Sequence, residues 1–119
     1  MPRLIAAPTR IPVPGGKTID EHVGVVSSGD THVSIAHMVA PAGWDEPAQS
    51  PDFEELTLVL HGVLLVEHDG GVLEVAAGQA VVTAPGERVR YSTGPAQGAE
   101  YVAVCLPAFT PDAAHRHET

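Results

Sequence analysis

Basic residues are scarce in this sequence. Six lysines and arginines stand against fifteen aspartates and glutamates, which gives a formal net charge of −9. Binding to a nucleic-acid backbone depends on clustered cations that release counterions from the phosphates, and the sequence contains no such cluster. We therefore expect no nucleic acid among the partners of this protein.

Cysteine pairs and long apolar runs are also missing. Cys105 is the single cysteine, so no internal disulfide can form and no zinc-site pattern is present. No apolar run approaches the roughly 20 residues of a membrane span, and the first residues lack the uninterrupted apolar stretch of a signal peptide. We expect a cytoplasmic protein without a membrane partner, and we interpret Cys105 as a buried packing residue.

The sequence leaves little room for a helix. Twelve glycines and eleven prolines punctuate the 119 residues, and the longest stretch without either covers residues 30–40. A mean globular helix needs about that whole length. The segments between these breaks are short and rich in β-branched residues, and Asp69-Gly70-Gly71 is a hairpin signal between two of them. The pattern predicts an all-β jelly roll or closed barrel, with strands near 18–27, 32–39, 55–61, 63–68, 72–76, 80–83, 88–92 and 100–106.

A chain of this length is one domain. Prolines 2, 8, 12 and 14 suit an extended arm over an edge strand. We therefore expect an N-terminal arm at 1–17, a barrel at 18–109 and a C-terminal tail at 110–119. The arm could also cross to a partner subunit or be loose, and we interpret the tail as solvated.

Two segments carry a resemblance to a known family. The stretch from Gly43 to Gly62 resembles the first motif of the cupin superfamily, G-x5-H-x-H-x3,4-E-x6-G, with Glu55 at the acidic position. The stretch from Gly78 to Val89 is similar to the second motif, G-x5-P-x-G-x2-H. The resemblance covers residues 32–107 and implies the cupin double-stranded β-helix, with little or no helix.

The histidines of these motifs are replaced. In metal-binding cupins the first motif supplies two His and a Glu, and the second motif supplies a third His. The two histidine positions of the first motif here hold Ala48 and Ser50, or Gln49 and Pro51 with the shorter spacer, and Val89 stands at the third. One carboxylate would bind a transition metal weakly. We expect no metal and no other cofactor.

Among cupins, the sequence most resembles the ethanolamine-utilization protein Q type. Those members also lack the histidine ligands, and they share the character of the segments 52–55, 66–68 and 101–104. Similar small cupins occur in natural-product pathways, sometimes as cyclases. The resemblance alone does not define an activity, since one fold supports many functions.

Strand alternation predicts which side chains share the barrel interior. Glu55, Thr57, Val59 and His61 fall on one face of their strand, and Tyr91 shares a face with Val89 on another. A carboxyl group in an apolar barrel has a raised pKa and can pass a proton in either direction. The predicted catalytic residues are Glu55, Tyr91 and His37, and the predicted ligand-binding residues are Gln49, Trp44, Thr57, Val89 and Glu46.

Each of these residues could instead have a purely structural role. Glu55 could be held by a salt bridge to Arg88 or Arg90, Tyr91 could fill the core, and Trp44 could be either a lid over a ligand or a plug. His61 lies one residue before a turn glycine, which indicates a barrel mouth or the surface.

Four functions remain open from the sequence. The first is a metal-independent isomerase, cyclase or lyase that acts on a small, largely apolar molecule and uses Glu55 as general acid and base. The others are a binding or regulatory barrel without chemistry, a metalloenzyme with atypical ligands (Gln49 and Glu55 with His37 or Tyr91), and an assembly component. The opposite face of the strand that carries Glu55 is formed by Leu56, Leu58 and Leu60 and is apolar. We expect this face to be buried in a homodimer.

Overall fold

The computed structural model describes residues 1–117, and the last two residues of the predicted tail lie outside this range. Residues 1–117 contain eight strands and one helical turn, all strand pairs are antiparallel, and the predicted all-β class is confirmed. The elements are β1 (Thr9–Ile11), β2 (Thr18–Val23), β3 (Ser34–Ala40), β4 (Glu54–His68), β5 (Gly71–Ala76), β6 (Ala80–Thr83), β7 (Arg90–Ser92), β8 (Ala99–Leu106) and α1 (Pro111–Ala114).

Strand β4 joins the two sheets of the barrel. Its first half pairs with β8 and β6, and its second half pairs with β5 and β7. The remaining neighbours follow in the order β1-β2-β3-β8-β4. The sequence predicts two strands here, 55–61 and 63–68, whereas the structure has one strand that bends at Gly62. A Cβ at Gly62 would lie 2.0 Å from the carbonyl oxygen of Gly98, and its φ of +77° favours glycine.

A bulge changes the alternation in the middle of β4. Glu55, Thr57 and Val59 are buried, but the register of β4 against β8 shifts between Val59 and His61. An extra residue in one strand reverses the faces that follow it. The prediction that His61 shares the inner face of Glu55 is therefore wrong, and 80% of the His61 side chain is exposed.

The interior of the barrel is filled at one end. A buried apolar cluster there contains Trp44, Leu64, Val66, Val89 and Tyr91, among others. A second, smaller cluster of Phe53, Cys105 and Ala114 closes the sheet on the side of α1. Between these clusters the strands leave an open space, which holds the site described below.

Both termini pack on the barrel. Strand β1 of the N-terminal segment pairs with β2 of the same chain. The C-terminal segment is attached to the barrel at Ala114, although residues 111, 112 and 115–117 are exposed, as the solvated interpretation predicts. Thr110 caps α1 by accepting a hydrogen bond from the Ala113 amide at 3.1 Å, and Ala114 is fully buried. The backbone of Arg116 also bridges to Gln49. Burial of an alanine and backbone pairing hold this segment against the loop before β4.

Candidate functional site

A cavity of about 280 Å³ lies inside the barrel, between the N-terminal segment and the inner faces of the strands. Its wall is largely apolar, with a few polar and charged groups that converge on it. The lining residues include Ile11, Pro12 and Val13 from the N-terminal segment, Ala36 and Met38 from β3, Glu55 and Thr57 from β4, Tyr91 from β7, and Tyr101, Ala103 and Cys105 from β8.

Glu55 lies on the wall of this cavity and is only 7% exposed. The hydroxyl of Tyr91 donates a hydrogen bond to its Oε1 at 2.8 Å, and its Oε2 has the thiol of Cys105 at 3.8 Å. Burial raises the pKa of the Glu55 carboxyl, because the charged form loses water, and the hydrogen bond from Tyr91 only partly opposes this. The site therefore favours the protonated form of this carboxyl group more than water does, on the wall of the cavity.

Tyr91 is a neutral hydrogen-bond donor in this position. Its hydroxyl lies 3.2 Å from the Thr83 Oγ1 and reaches Glu55 on the other side. Burial, and then the charge of Glu55, raise the pKa of Tyr91 well above its usual value. The same two causes, in the same order, raise the pKa of the Cys105 thiol, so Cys105 lacks the thiolate character of a nucleophile.

The structure brings three further predicted residues to the cavity. Thr57 lies beside Glu55 on the inner face of β4 and is buried. Gln49 is buried, and its backbone exchanges two hydrogen bonds with Val89, at 2.8 and 2.9 Å. Glu46 belongs to the same loop and also lines the cavity.

Three predicted site residues do not line the cavity. His37 is wrong as a catalytic candidate, because Ala36 and Met38 of β3 face the cavity and the residue between them faces outward. Its Nε2 lies 2.7 Å from the Glu100 carboxylate on that outer surface. Val89 and Trp44 belong to the buried core instead. Trp44 is 5% exposed and lines a neighbouring space of about 210 Å³ together with Lys17 and Glu46.

The salt bridge considered for Glu55 is absent from residues 1–117. Arg90 pairs with Asp45, and its Nη1 lies 3.7 Å from the Glu67 carboxylate. These contacts are on the outside of the barrel. No arginine therefore offsets the burial of Glu55.

Sequence reasoning missed three residues of this site. Lys17, Tyr101 and Arg116 all line the cavity. The alternation of β8 could have placed Tyr101 on the inner face, with Ala103 and Cys105. Nothing local indicates Lys17 or Arg116, since both reach the cavity from segments interpreted as an arm and a tail.

The residues present do not fit the metal of the resembled family. At the corresponding positions, Ala48 and Val89 are buried apolar groups, and the Ser50 hydroxyl lies 2.8 Å from His117 Nε2. The remaining donors beside Glu55 are a phenol and a thiol with raised pKa values, which disfavours the deprotonated forms that bind metals. Within residues 1–117, no three His, Cys, Asp or Glu side chains converge on one point.

Among the described residues, no helix is long and apolar enough to cross a membrane.

The antiparallel barrel, with its internal cavity, defines a protein of the cupin fold. Three solved structures share this architecture. Polyketide cyclase RemF from Streptomyces resistomycificus superposes with a TM-score of 0.71 at 19% identity, over 97% of this chain and 90% of that one. An ethanolamine utilization protein Q from Salmonella typhimurium LT2 gives 0.62 at 19% identity, over 78% and 71%. A variant of Bacillus subtilis oxalate decarboxylase gives 0.78 at 15% identity, over 94% of this chain and 31% of that one. The predicted cupin fold, including the likeness to the protein Q type, is confirmed.

One curated relative matches in sequence. The protein is 40% identical over 105 residues to endoribonuclease YbeY of Myxococcus xanthus strain DK1622. The match takes in 88% of this chain but 36% of that protein, so this chain spans about a third of the length of the relative. No protein-family model matches the chain.

Proposed function

We propose that this protein is a cytoplasmic, metal-independent enzyme that binds a small, largely apolar organic molecule in its cavity and transfers protons on it through Glu55. The observation that carries the proposal is the carboxyl group of Glu55, buried on the wall of a cavity of about 280 Å³. Tyr91 holds Oε1 at 2.8 Å, whereas Oε2 has only the thiol of Cys105 at 3.8 Å, and we assign Oε2 to the ligand.

The chemistry that fits this arrangement is proton transfer beside a carbonyl group. As a carboxylate, Glu55 takes a proton from the carbon next to the carbonyl, and the electron pair of that bond forms an enolate. The carboxyl group so formed returns a proton to a carbon or oxygen of the same molecule. A raised pKa favours this role, because an acid–base group works best when its pKa lies near the working pH. Isomerisation, ring closure with loss of water, and elimination all belong to this class.

Two of the similar proteins bear on the proposal. The polyketide cyclase named above is an example of ring-closing chemistry on this fold, although a shared fold does not transfer a reaction. The endoribonuclease activity in the name of the curated relative is not assigned to this chain. The match covers about a third of that protein, and a net charge of −9 opposes contact with an RNA backbone.

A proton-exchange experiment tests the proposal without knowledge of the natural substrate. The probe is 2-tetralone, a two-ring ketone with acidic hydrogens next to its carbonyl, and the measurement is their exchange for deuterium in D₂O by NMR. We expect the protein to accelerate exchange and Glu55→Gln to abolish the acceleration. Glu54→Gln, one position away on β4, is the matched control and should keep it.

The outcomes of this experiment separate the candidate functions. Exchange that is equally fast in Glu55→Gln would refute the role of Glu55. Binding of the ketone without any exchange in the wild type would refute the enzyme and leave a binding barrel.

We also propose a two-fold homodimer through the outer face of the larger sheet. Leu56, Leu58, Val82, Val102 and Val104 lie side by side on this face, and Leu58 is 45% exposed. A two-fold axis would place each row against its own copy. Sedimentation of the wild type should give twice the 12.4 kDa chain mass, and Leu58→Lys should give one chain. Val72→Lys, an exposed apolar position on β5, is the control that should stay dimeric.

A further inference from the structure

One wall of the cavity is formed by the N-terminal segment. Ile11, Pro12 and Val13 line the cavity together with the inner faces of β3, β4 and β8. Strand β1, which positions these residues, lies at the edge of the sheet and pairs with β2 alone. None of residues 1–16 is buried. This wall is therefore held to the barrel by a short ladder on one side.

The other walls of the cavity are held more firmly. Strands β3 and β8 pair with each other along their whole lengths, and each has a further paired strand on its other side. The C-terminal segment also lines the cavity, but its Ala114 is fully buried, and the backbone amides of Ser50 and Asp52 donate hydrogen bonds to it at 3.2 and 2.8 Å. Termini with few buried contacts open at a lower free energy than paired central strands. We therefore expect the N-terminal wall to open first.

Two exposed ion pairs attach the N-terminal segment in addition to the pairing of β1. Arg10 Nε lies 2.5 Å from Asp20 Oδ1, and Arg3 Nη2 lies 2.5 Å from Asp30 Oδ2. Both arginine side chains are 61% exposed. Exposed ion pairs contribute little to stability. These contacts favour the closed position of the segment but can be broken without unfolding the barrel.

Two glycines separate this segment from a firmly held residue. Gly15 and Gly16 have φ angles of +87° and +80°, a region that glycine adopts without strain. The next residue, Lys17, is only 8% exposed, and its Nζ lies 4.4 Å from the ring centroid of Trp44 and 3.8 Å from Glu46 Oε2. The chain is thus fixed at Lys17 and can change direction at the two residues before it, as hinges often do.

From this geometry we infer that residues 1–14 form a strap, which swings about Gly15 and Gly16, admits a ligand to the cavity and closes over it. The closed strap brings the apolar side chains of Ile11, Pro12 and Val13 against the ligand, and it therefore suits a largely apolar molecule. The strap goes beyond the proposed proton transfer and does not depend on it, because it controls access to the cavity whatever reaction follows.

Cys105 can report the opening of the strap. It is the single cysteine of the chain, it lines the cavity and it is 3% exposed. N-ethylmaleimide should therefore modify its thiol only when the cavity opens or the protein unfolds. The measurement is the rate of this modification in the full chain, followed by mass spectrometry.

A disulfide between β1 and β2 tests the strap. Arg10 and Asp20 are direct partners in the strand register, and their side chains are in contact. The Cα atoms of such partners lie about 4.5–5.5 Å apart, which suits a disulfide. In Arg10→Cys with Asp20→Cys, we expect the oxidised form to be modified at Cys105 about tenfold or more slowly than the reduced form, because modification follows the population of the open state. Peptide mapping separates Cys105 from the two introduced thiols.

A disulfide far from the strap separates strap opening from global unfolding. Glu67 on β4 and Val72 on β5 are also direct partners in the register. Glu67→Cys with Val72→Cys constrains the barrel but leaves the strap free, so oxidation of this variant should not change the rate at Cys105. Equal slowing by both disulfides would show that the reagent reaches Cys105 through unfolding. No slowing by the first disulfide would show another route into the cavity, and either result overturns the strap.

The deuterium exchange of 2-tetralone tests whether a ligand uses the same route. The oxidised form of Arg10→Cys with Asp20→Cys should exchange the ketone more slowly than its reduced form does. Equal exchange in the two forms would refute the strap as the entrance to the cavity. Absence of exchange in the wild type would refute the proposed proton transfer instead, and the modification of Cys105 would still decide whether the strap opens.

Discussion

Replacement of Glu55 by glutamine removes a buried proton but keeps the size of the side chain, so its effect on stability should depend on pH. Burial raises the pKa of the Glu55 carboxyl above its ordinary value of 4.5 in the folded protein. Between 4.5 and the folded pKa, the folded chain binds more protons than the unfolded chain. The free energy of unfolding of the wild type therefore falls as pH rises through this range. The contribution is complete below 4.5 and is lost above the folded pKa.

The size of the effect follows from the linkage between protonation and folding. Each unit by which burial raises the pKa of Glu55 corresponds to about 1.4 kcal/mol. Glutamine is neutral at all pH values, and its amide oxygen can accept the hydrogen bond of Tyr91. We expect the two proteins to have similar stability near pH 4. Near pH 8, Glu55→Gln should be the more stable by about 1.4 kcal/mol for each unit of elevation.

Urea unfolding at several pH values measures this difference. Protein concentration is held constant, because dimerisation would make the midpoint depend on it. Glu54→Gln reports the general effect of the removal of one charge from β4. If the stability difference between Glu55→Gln and the wild type did not grow between pH 4 and pH 8, burial would not control Glu55 and the argument for a proton-transfer residue would fail.

Three further substitutions test other parts of the structure. Tyr91→Phe leaves Oε1 of Glu55 without its donor and should lower the free energy of unfolding by about 1–3 kcal/mol in urea melts; an unchanged value would contradict the hydrogen bond. Gly62→Ala places a Cβ 2.0 Å from the Gly98 carbonyl oxygen at a positive φ, so a loss of about 3 kcal/mol is expected in the same assay; a loss below 1 kcal/mol would argue against the bend. His37→Ala should leave the deuterium exchange of 2-tetralone unchanged, because His37 lies outside the cavity. A loss of exchange in this variant would show that His37 takes part in the reaction.

Strand positions could be predicted well from the sequence, because glycine and proline mark the turns locally. The predicted strand at 80–83 coincides with β6, and those at 72–76 and 100–106 differ from β5 and β8 by one residue at one end. The predicted strand at 18–27 is wrong beyond residue 23, because β2 ends before Gly24, and those at 32–39 and 88–92 begin two residues before β3 and β7. Strand β1 lies within the segment predicted only as an extended arm. The continuity of β4 could not be predicted. Gly62 is typical of a turn by its local chemistry, and only the packing of the Gly98 backbone against it shows that the strand continues through a bend.

The site was predictable where it depended on one strand, and unpredictable where it depended on pairing between strands. Alternation along β4 places Glu55 and Thr57 on the inner face directly. The orientation of His37 depends on how β3 faces the barrel, which a lone histidine does not reveal. Lys17 and Arg116 meet at Glu46 only because both termini fold back on the barrel, and this arises from contacts distant in sequence.

The loss of the motif histidines explains why the remaining carboxylate changes its chemistry. A glutamate beside a metal ion stays ionised, since the cation stabilises the negative charge. Without imidazoles to hold an ion, the direct partners of the Glu55 carboxyl are two weak acids, the Tyr91 hydroxyl and the Cys105 thiol. The charge of Lys17 opposes the effect of burial only in part, so burial is the largest influence and raises the pKa of Glu55. The same side chain at the same position of the barrel is thereby suited to carry a proton.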